Sequence, residues 1–445
     1  MKRLFLALSL MLAASLPARA ARTTTFTLDN GLQIVVLEDH RAPVVVHMVW
    51  YRVGAADEPP GKSGIAHFLE HLMFKGTDTL GPGELSKIVT RNGGSDNAFT
   101  SWDYTAYFQR VAADRLELMM RMEADRMRNL RMTRDDVETE RQVVLEERAQ
   151  RTDSQPSVLF REQRRAAQYL NSPYGIPVVG WRREVERLSR EDAYAFYQRF
   201  YAPNNAVLVV AGDVDPDHVL ALARKYYGPL APTPGLTARH RPQEPPQLAE
   251  RRLTFRDPRI AQPFIVRSYL APERDSGDQR AAARLTMLAE LLGGDGATSV
   301  LGQKLVFGSR KALFVNAGYD GVSLDDTTFS LVIVPTPGTS MQEAEEALDK
   351  AVAEFIDEGV DPDQLARVKM QLRATRIYDE DDVESLARDY GTALTSGLTE
   401  KDVQAWPALL QQITADEVIA AAKEVFDRHK AVTGWAMPAA MEDGQ

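Results

Sequence analysis

The sequence predicts an α+β protein built as two similar halves, and three observations carry that prediction. Alternating strand segments, such as Gln33 to Leu37 and Ala206 to Val210, are mixed with amphipathic helical patterns in each half. With 445 residues, the chain is too long for one ordinary core, so two domains are expected. Part of the chain also repeats. Leu188 to Val207 (LSREDAYAFYQRFYAPNNAV) aligns without gaps with Ile413 to Val432 (ITADEVIAAAKEVFDRHKAV), each reading as a helix that leads into a strand.

In chain order, residues 1–20 come first. Lys2 and Arg3 precede an apolar stretch from Leu4 to Leu16, and Ala18-Arg19-Ala20 closes it as a small-residue cleavage site. That is the pattern of a secretory signal peptide cleaved after Ala20, too short for a good membrane span. A first domain is expected over residues 22–230 and a second over 249–440. Between them Ala231 to Leu248 (APTPGLTARHRPQEPPQL) is rich in proline and polar residues and lacks periodicity, as a linker does. The absence of cysteine excludes disulfides, thiolate metal sites and a lipid-anchored cysteine. The leader and this composition predict an exported protein of the bacterial periplasm. The net charge is −10, and near −13 once Lys2, Arg3 and Arg19 leave with the leader. Such a balance argues against nucleic-acid binding and leans toward cationic peptides.

Within the first domain, His67-Phe68-Leu69-Glu70-His71 is the inverted zincin pattern H-x-x-E-H. Ser63 and Gly64 suggest a helix start, an apolar run continues to Phe74, and Lys75-Gly76 suggests its end. On a helix, residues four apart share a face, so His67 and His71 can aim both rings at one metal ion. Glu70 is then placed as a carboxylate base beside it. A packed histidine pair is otherwise costly, because its ring nitrogens need partners. Ser95 to Thr100 and Tyr104 to Arg110 read as a hairpin across Ser101-Trp102-Asp103. Thr133 to Arg151 reads as a charged helix with Thr133 as its cap and an apolar side formed by Val143, Val144 and Leu145. Glu140 and Glu147 stand two turns apart on one face, and a carboxylate from this helix could complete a His-His-Glu set. Spacing alone does not choose between them; Glu138, Glu146 and Arg148 read as a solvated face.

GIAHFLEHLMFKGT followed by ERQVVLEERAQR resembles the pitrilysin/insulinase family of zinc metallopeptidases, in the short, two-domain branch that includes mitochondrial processing peptidase subunits. The segments TLDNGLQIVVLED, GGSDNAFTSWDYTAYF, SPYGIPVVG and FYAPNNAVLVVAGDVD extend the resemblance over nearly the whole mature chain. The resemblance implies two metallopeptidase halves, each a mostly antiparallel sheet packed with helices, enclosing a cleft. It implies zinc held by His67, His71 and Glu147, the last about 76 residues beyond the second histidine. Glu70 becomes the catalytic base, and Glu140 joins it in the catalytic set as a carboxylate supporting the ligands. The strand with Asn97, Ala98, Phe99 and Thr100 becomes an exposed edge that binds peptide backbone by β-augmentation. Zinc-dependent endopeptidase activity on peptides or small unfolded polypeptides is the activity implied.

The second half departs from that pattern. GIAHFLEHLMF pairs with RLTMLAELLGG (Arg284 to Gly294), placing Met287 opposite His67 and Leu291 opposite His71, so this half carries no metal motif. Gly293-Gly294-Asp295-Gly296 reads as a helix-ending turn. Relatives that act alone or as homodimers carry an arginine and a tyrosine seven apart in this half. Here Val306 and Leu313 occupy those places, with Arg310 and Tyr319 nearby but out of register. The expectation is therefore a catalytic subunit paired with a paralogue that lacks the zinc motif, with a homodimer as the alternative. A dedicated precursor-processing protease and a non-catalytic assembly or chaperone-like subunit are the rival functions. The remaining histidines (His40, His47, His218, His240 and His429) lack ligand spacing and read as surface or packed residues.

Overall fold

The computed structural model describes residues 22–439. The expected leader lies outside them. Eleven strands form two sheets among the described residues. The first contains β1 (Arg22–Thr27), β2 (Gln33–Glu38), β3 (Val44–Tyr51), β4 (Ser95–Thr100), β5 (Thr105–Ala112) and β6 (Ala206–Gly212). Its order is β1-β2-β6-β3-β5-β4, so β4 is an edge. The second contains β7 (Arg251–Arg256), β8 (Phe264–Ala271), β9 (Ala312–Tyr319), β10 (Thr327–Pro335) and β11 (Ala431–Met437), in the order β7-β11-β8-β10-β9. In each sheet the last strand of the half inserts parallel to the first of the shared set, β6 beside β2 and β11 beside β7, while the other pairings are antiparallel. The repeat in the sequence is thus a repeat in topology.

Helices follow the same repeat. The first half contributes α1 (Ile65–Leu72), α2 (Glu84–Arg91), α3 (Leu116–Arg128), α4 (Arg134–Arg148), α5 (Pro156–Gln168), α6 (Arg182–Val185), α7 (Arg190–Phe200) and α8 (Pro216–Tyr226). The second contributes α9 (Arg280–Ala289), α10 (Met341–Glu358), α11 (Pro362–Asp379), α12 (Val383–Thr395), α13 (Glu400–Gln412) and α14 (Ala415–Val425). Strand β3 reads as a continuous apolar run because both of its faces are covered. Val45, Val49 and Tyr51 face α1, α3 and α7; Val46, Met48 and Trp50 face the opposite way. His47 lies on the first face, fully buried, with Nδ1 2.8 Å from Gln109 Oε1 and Nε2 3.0 Å from the Tyr227 hydroxyl.

The helix that covers the second face comes from the other half. Leu386, Ala387, Tyr390 and Leu394 of α12 pack on the back of the first sheet. In exchange α5, which holds the equivalent place in the first half, packs Phe160 on Phe255 and Phe264 of the second sheet. Two glycines make this exchange fit: a Cβ on Gly391 would stand 1.9 Å from Trp50 Cε2, and one on Gly434 would stand 2.6 Å from Phe160 Cζ. The stretch 231–248 contains no helix or strand, yet it is anchored. Arg241 is buried and bonds Asp57 (2.9 Å), Asp103 (2.5 Å) and Asp325 (3.1 Å), joining elements of both halves. Such an ion cluster needs every member, because an unpaired buried charge is costly.

Candidate active site

Helix α1 is placed by its N-terminal contacts. Ser63 does not cap it: the Ser63 hydroxyl accepts from Trp181 N at 2.9 Å instead. Gly64 takes a left-handed φ of +87°, and the Glu58 carboxylate accepts from Gly64 N (2.8 Å) and Ala66 N (2.9 Å). A buried acid earlier in the chain thus caps the helix. Gly180 of the SPYGIPVVG segment backs directly onto it; a Cβ there would stand 2.6 Å from Gly64 Cα. Close approach of two backbones explains both glycines. The apolar face of α1 (Ile65, Phe68, Leu69 and Leu72) is buried, which turns His67, Glu70 and His71 into the cleft.

Helix α4 begins where predicted, with Thr133 Oγ1 accepting from Asp136 N at 3.1 Å and Asp136 Oδ2 accepting from Thr133 N at 3.0 Å. It ends as an α-helix at Arg148 and continues as wider turns over Ala149–Asp153. Val144 is buried, but Val143 is 43% exposed, so the apolar side is narrower than three consecutive residues suggest. Arg148 corrects the expectation of a solvated face. It is buried and bonds Glu162 (2.9 Å) and Gly180 O (2.9 Å), tying α4 to α5 and to the wall behind α1. Glu138 and Glu146 are exposed, as expected.

These two helices bring His67, His71 and Glu147 together, with one donor atom from each within 4.8 Å of the others. Glu147 Oε2 is 3.2 Å from His71 Nε2 and 3.7 Å from His67 Nε2. Donors on a tetrahedral zinc ion stand about 3.4 Å apart, given bonds of about 2.1 Å, and these spans bracket that value. The His67 ring makes no hydrogen bond among the described residues, and its Nδ1 is buried without a partner. A cation between the three groups would remove that deficit, so the donor set fits a divalent ion. On the far side of His71, Nδ1 lies 3.2 Å from Glu140 Oε2, and Glu140 also pairs with Lys75.

Electrostatics follow from this packing. Burial, followed by the neighbouring His71, holds the His67 ring down at about 4. Burial also opposes charge on His71, but hydrogen bonds to Glu140 and Glu147 outweigh it and raise that ring to about 9. The hydrogen bond to His71 draws Glu147 below the usual carboxylate range. Burial pushes the Glu70 carboxyl above its ordinary value. Its Oε2 accepts from Thr100 Oγ1 at 2.5 Å. Thr100 ends the edge strand β4, so the strand that could receive a peptide also holds the carboxylate.

Along β4 the other expected residues differ in what they offer. Asn97 Oδ1 accepts from Ala98 N at 2.9 Å, closing one donor of the edge. The Phe99 side chain turns to the back of the sheet, edge-on to Trp50 at 5.2 Å and under the Arg388 guanidinium at 4.6 Å; its backbone stays at the edge. Asn97 to Thr100 and the three donors line one cavity of about 1060 Å³. Lys75, Arg148, Arg151 and Arg161 line it too, so its charge does not follow the acidic balance of the whole chain. In the second half Met287 and Leu291 are fully buried where the first half carries histidines. Val306 is half-buried and Leu313 is 51% exposed. Arg310 is exposed with φ 55°, and the Tyr319 hydroxyl donates to Pro272 O at 2.5 Å.

Comparison with known proteins agrees with this architecture. The model of the insulinase family, peptidase family M16, matches residues 33–181, and that of the peptidase M16 inactive domain matches residues 187–372. A zinc protease of Helicobacter pylori, PqqE, is 30% identical over 96% of this chain and 96% of its own length. The chain belongs to peptidase family M16. An uncharacterised zinc protease of Mycobacterium leprae is likewise 30% identical, over 92% of this chain and 91% of the relative. Among solved structures, a protease from Helicobacter pylori superposes with a TM-score of 0.87 at 26% identity, covering 94% of this chain and all of the other. An M16 inactive domain from Pseudomonas fluorescens has the same fold at 17% identity and a TM-score of 0.82, covering 95% of this chain and all of that one. Members described as inactive share the fold, so it is the side chains of the site that bear on chemistry. Of the residues that position this M16 site, Glu58 had no signal in spacing or composition. Thr100 was expected only as part of a peptide-binding strand. Among the described residues no helix is long and apolar enough to cross a membrane.

Proposed function

We propose that this chain is a zinc-dependent endopeptidase of the periplasm that cleaves peptides or small unfolded polypeptides bound as an added strand on β4. The observation that carries the reading is the hydrogen bond from Thr100 to Glu70. It joins the edge strand to a carboxylate next to the His67–His71–Glu147 donor set. Those three residues would hold the zinc ion, which supplies Lewis acidity toward water and the scissile carbonyl. Glu70, its affinity for protons raised by burial, takes the proton of the attacking water and returns it to the leaving amine. Glu140 fixes the His71 ring through Nδ1. Strand β4 aligns the peptide backbone, with Asn97 giving up the Ala98 N–H to it. Export rests on the leader pattern of residues 1–20.

A second subunit belongs to this reading because Val306 and Leu313 stand where an arginine and a tyrosine would face the substrate. A paralogue lacking the metal motif would supply that pair. The test is hydrolysis of a quenched peptide library by the purified mature chain, alone and zinc-loaded, beside Glu70→Gln. The reading expects the variant to bind zinc and fold normally while losing activity by a factor of about 10²–10⁴. Equal activity of the variant would refute Glu70 as the base. Full activity of the lone chain would refute the need for a partner, and a homodimer would then be the assembly to examine.

A further inference from the structure

We infer that Arg161, assisted by Arg151, forms a subsite for a carboxylate of the bound peptide, so that this cleft selects acidic peptides; the inference rests on the peptidase reading above. Helix α5 runs between the cavity and the second sheet. Phe160 and Arg164 face the second sheet, where Arg164 donates to Ser268 Oγ at 2.6 Å. Val158 and Arg161, three residues apart and so on one helical face, line the cavity instead. Arg161 is exposed, and its side chain makes no hydrogen bond or ion pair among the described residues. Arg151 is 79% exposed and bonded to Glu147 Oε1 at 2.5 Å, while Oε2 faces the two histidines, so its guanidinium stands at the cavity beside the donor set.

The lining carboxylates are already engaged. Glu70 is held by Thr100, Glu140 by His71 and Lys75, and Glu147 by His71 and Arg151. A divalent ion would add two further positive charges to the same cavity. A peptide entering it therefore meets the free guanidinium of Arg161, and with the ion bound the balance of the lining would be positive. Concave, partly desolvated surfaces strengthen the field of such an unpaired charge. The guanidinium fork matches a carboxylate with two parallel N–H donors. That carboxylate is either an Asp or Glu side chain or the C-terminus of a short peptide.

The test measures binding by fluorescence anisotropy to the zinc-loaded Glu70→Gln chain, which separates recognition from cleavage. The probes are labelled decapeptides that differ only in Glu against Lys at successive positions, each with a free or an amidated C-terminus. Acidic peptides are expected to bind about tenfold more tightly than their lysine counterparts, with the gap shrinking as salt rises. Arg161→Ala should remove about three- to tenfold of that preference, and Arg161→Glu should reverse it. Its exposed, unpaired side chain lets both variants keep the parent melting temperature. A preference for Glu that survives amidation assigns the site to an acidic side chain; affinity lost on amidation, whatever the side chains, assigns it to the C-terminus. Equal binding of acidic and lysine peptides together with no effect of amidation, or a ranking unchanged by Arg161→Glu, overturns the subsite and leaves the peptidase reading intact. Failure of every peptide to bind overturns both.

Discussion

Replacing Gly391 with alanine sets two effects against each other, and the structure decides which wins. Alanine in the interior of α12 should gain about 1 kcal/mol over glycine in helix propensity. Its Cβ, however, would lie 1.9, 2.3 and 2.4 Å from three atoms of the Trp50 ring. Carbon contacts are comfortable at about 3.5–4.0 Å, so helix and ring must separate by about 1.5 Å. Trp50 cannot turn aside, because it is fully buried between Phe99 and Tyr104, edge-on at 5.2 and 5.1 Å. Overpacking of this kind costs about 1–3 kcal/mol, and the confinement places this site at the upper end. The expected net loss is about 2 kcal/mol, read from the midpoint of urea unfolding followed by far-UV circular dichroism. Phe99 belongs to β4, so the displaced ring should also weaken peptide binding. In a Trp50→Leu background the obstacle is gone and the alanine should become neutral or stabilising. A Gly391→Ala chain as stable as the parent would refute the argument that α12 is seated by this contact.

Two further expectations concern the metal site and acid stability. Glu140→Gln keeps an acceptor for His71 Nδ1 but leaves Lys75 without its counter-charge; zinc affinity, measured by chelator competition, should fall about 10–100-fold while the fold persists. Glu345 is buried in the second half. Burial opposes its charge, but hydrogen bonds from Arg252 and the charge of Arg267 outweigh this and hold it at about 2, against an ordinary 4.5. A depressed carboxylate contributes stability above its unfolded value, and that contribution is lost as pH falls. The second half should therefore weaken between about pH 4.5 and 2. Glu345→Gln should cost about 3 kcal/mol at neutral pH, because Arg252, Arg267 and Arg428 lose the buried carboxylate they share and Arg267 keeps only Asp349, and should flatten the acid profile. A thermal melt that is independent of pH in that window would contradict this assignment.

Local rules made much of this protein legible before any coordinates. Periodicity placed β2, β6 and the β4–β5 hairpin, and the Thr133 cap started α4, because these depend on residues a few positions apart. The spacing of His67, Glu70 and His71 is also a local property of a helix. Glu147 entered through resemblance alone, because nothing in spacing separates it from Glu140, and the structure brings it beside both histidines.

Tertiary structure decided what depends on distant partners. Arg148 has the sequence context of a surface residue, yet it is buried because Glu162 and Gly180 meet it there. Ser63 looked like a cap, but Trp181 takes its hydroxyl and Glu58 supplies the cap instead. A net charge of −10 leaned toward cationic peptides, whereas the cleft collects Arg151 and Arg161. The proline-rich stretch 231–248 reads in the sequence as a divider between the halves, but α5 and α12 each cross to the other sheet. A hydrophobic helix face records that it will be buried and carries no mark of which sheet will bury it. That choice is made by shape, here by Gly391 against Trp50 and Gly434 against Phe160.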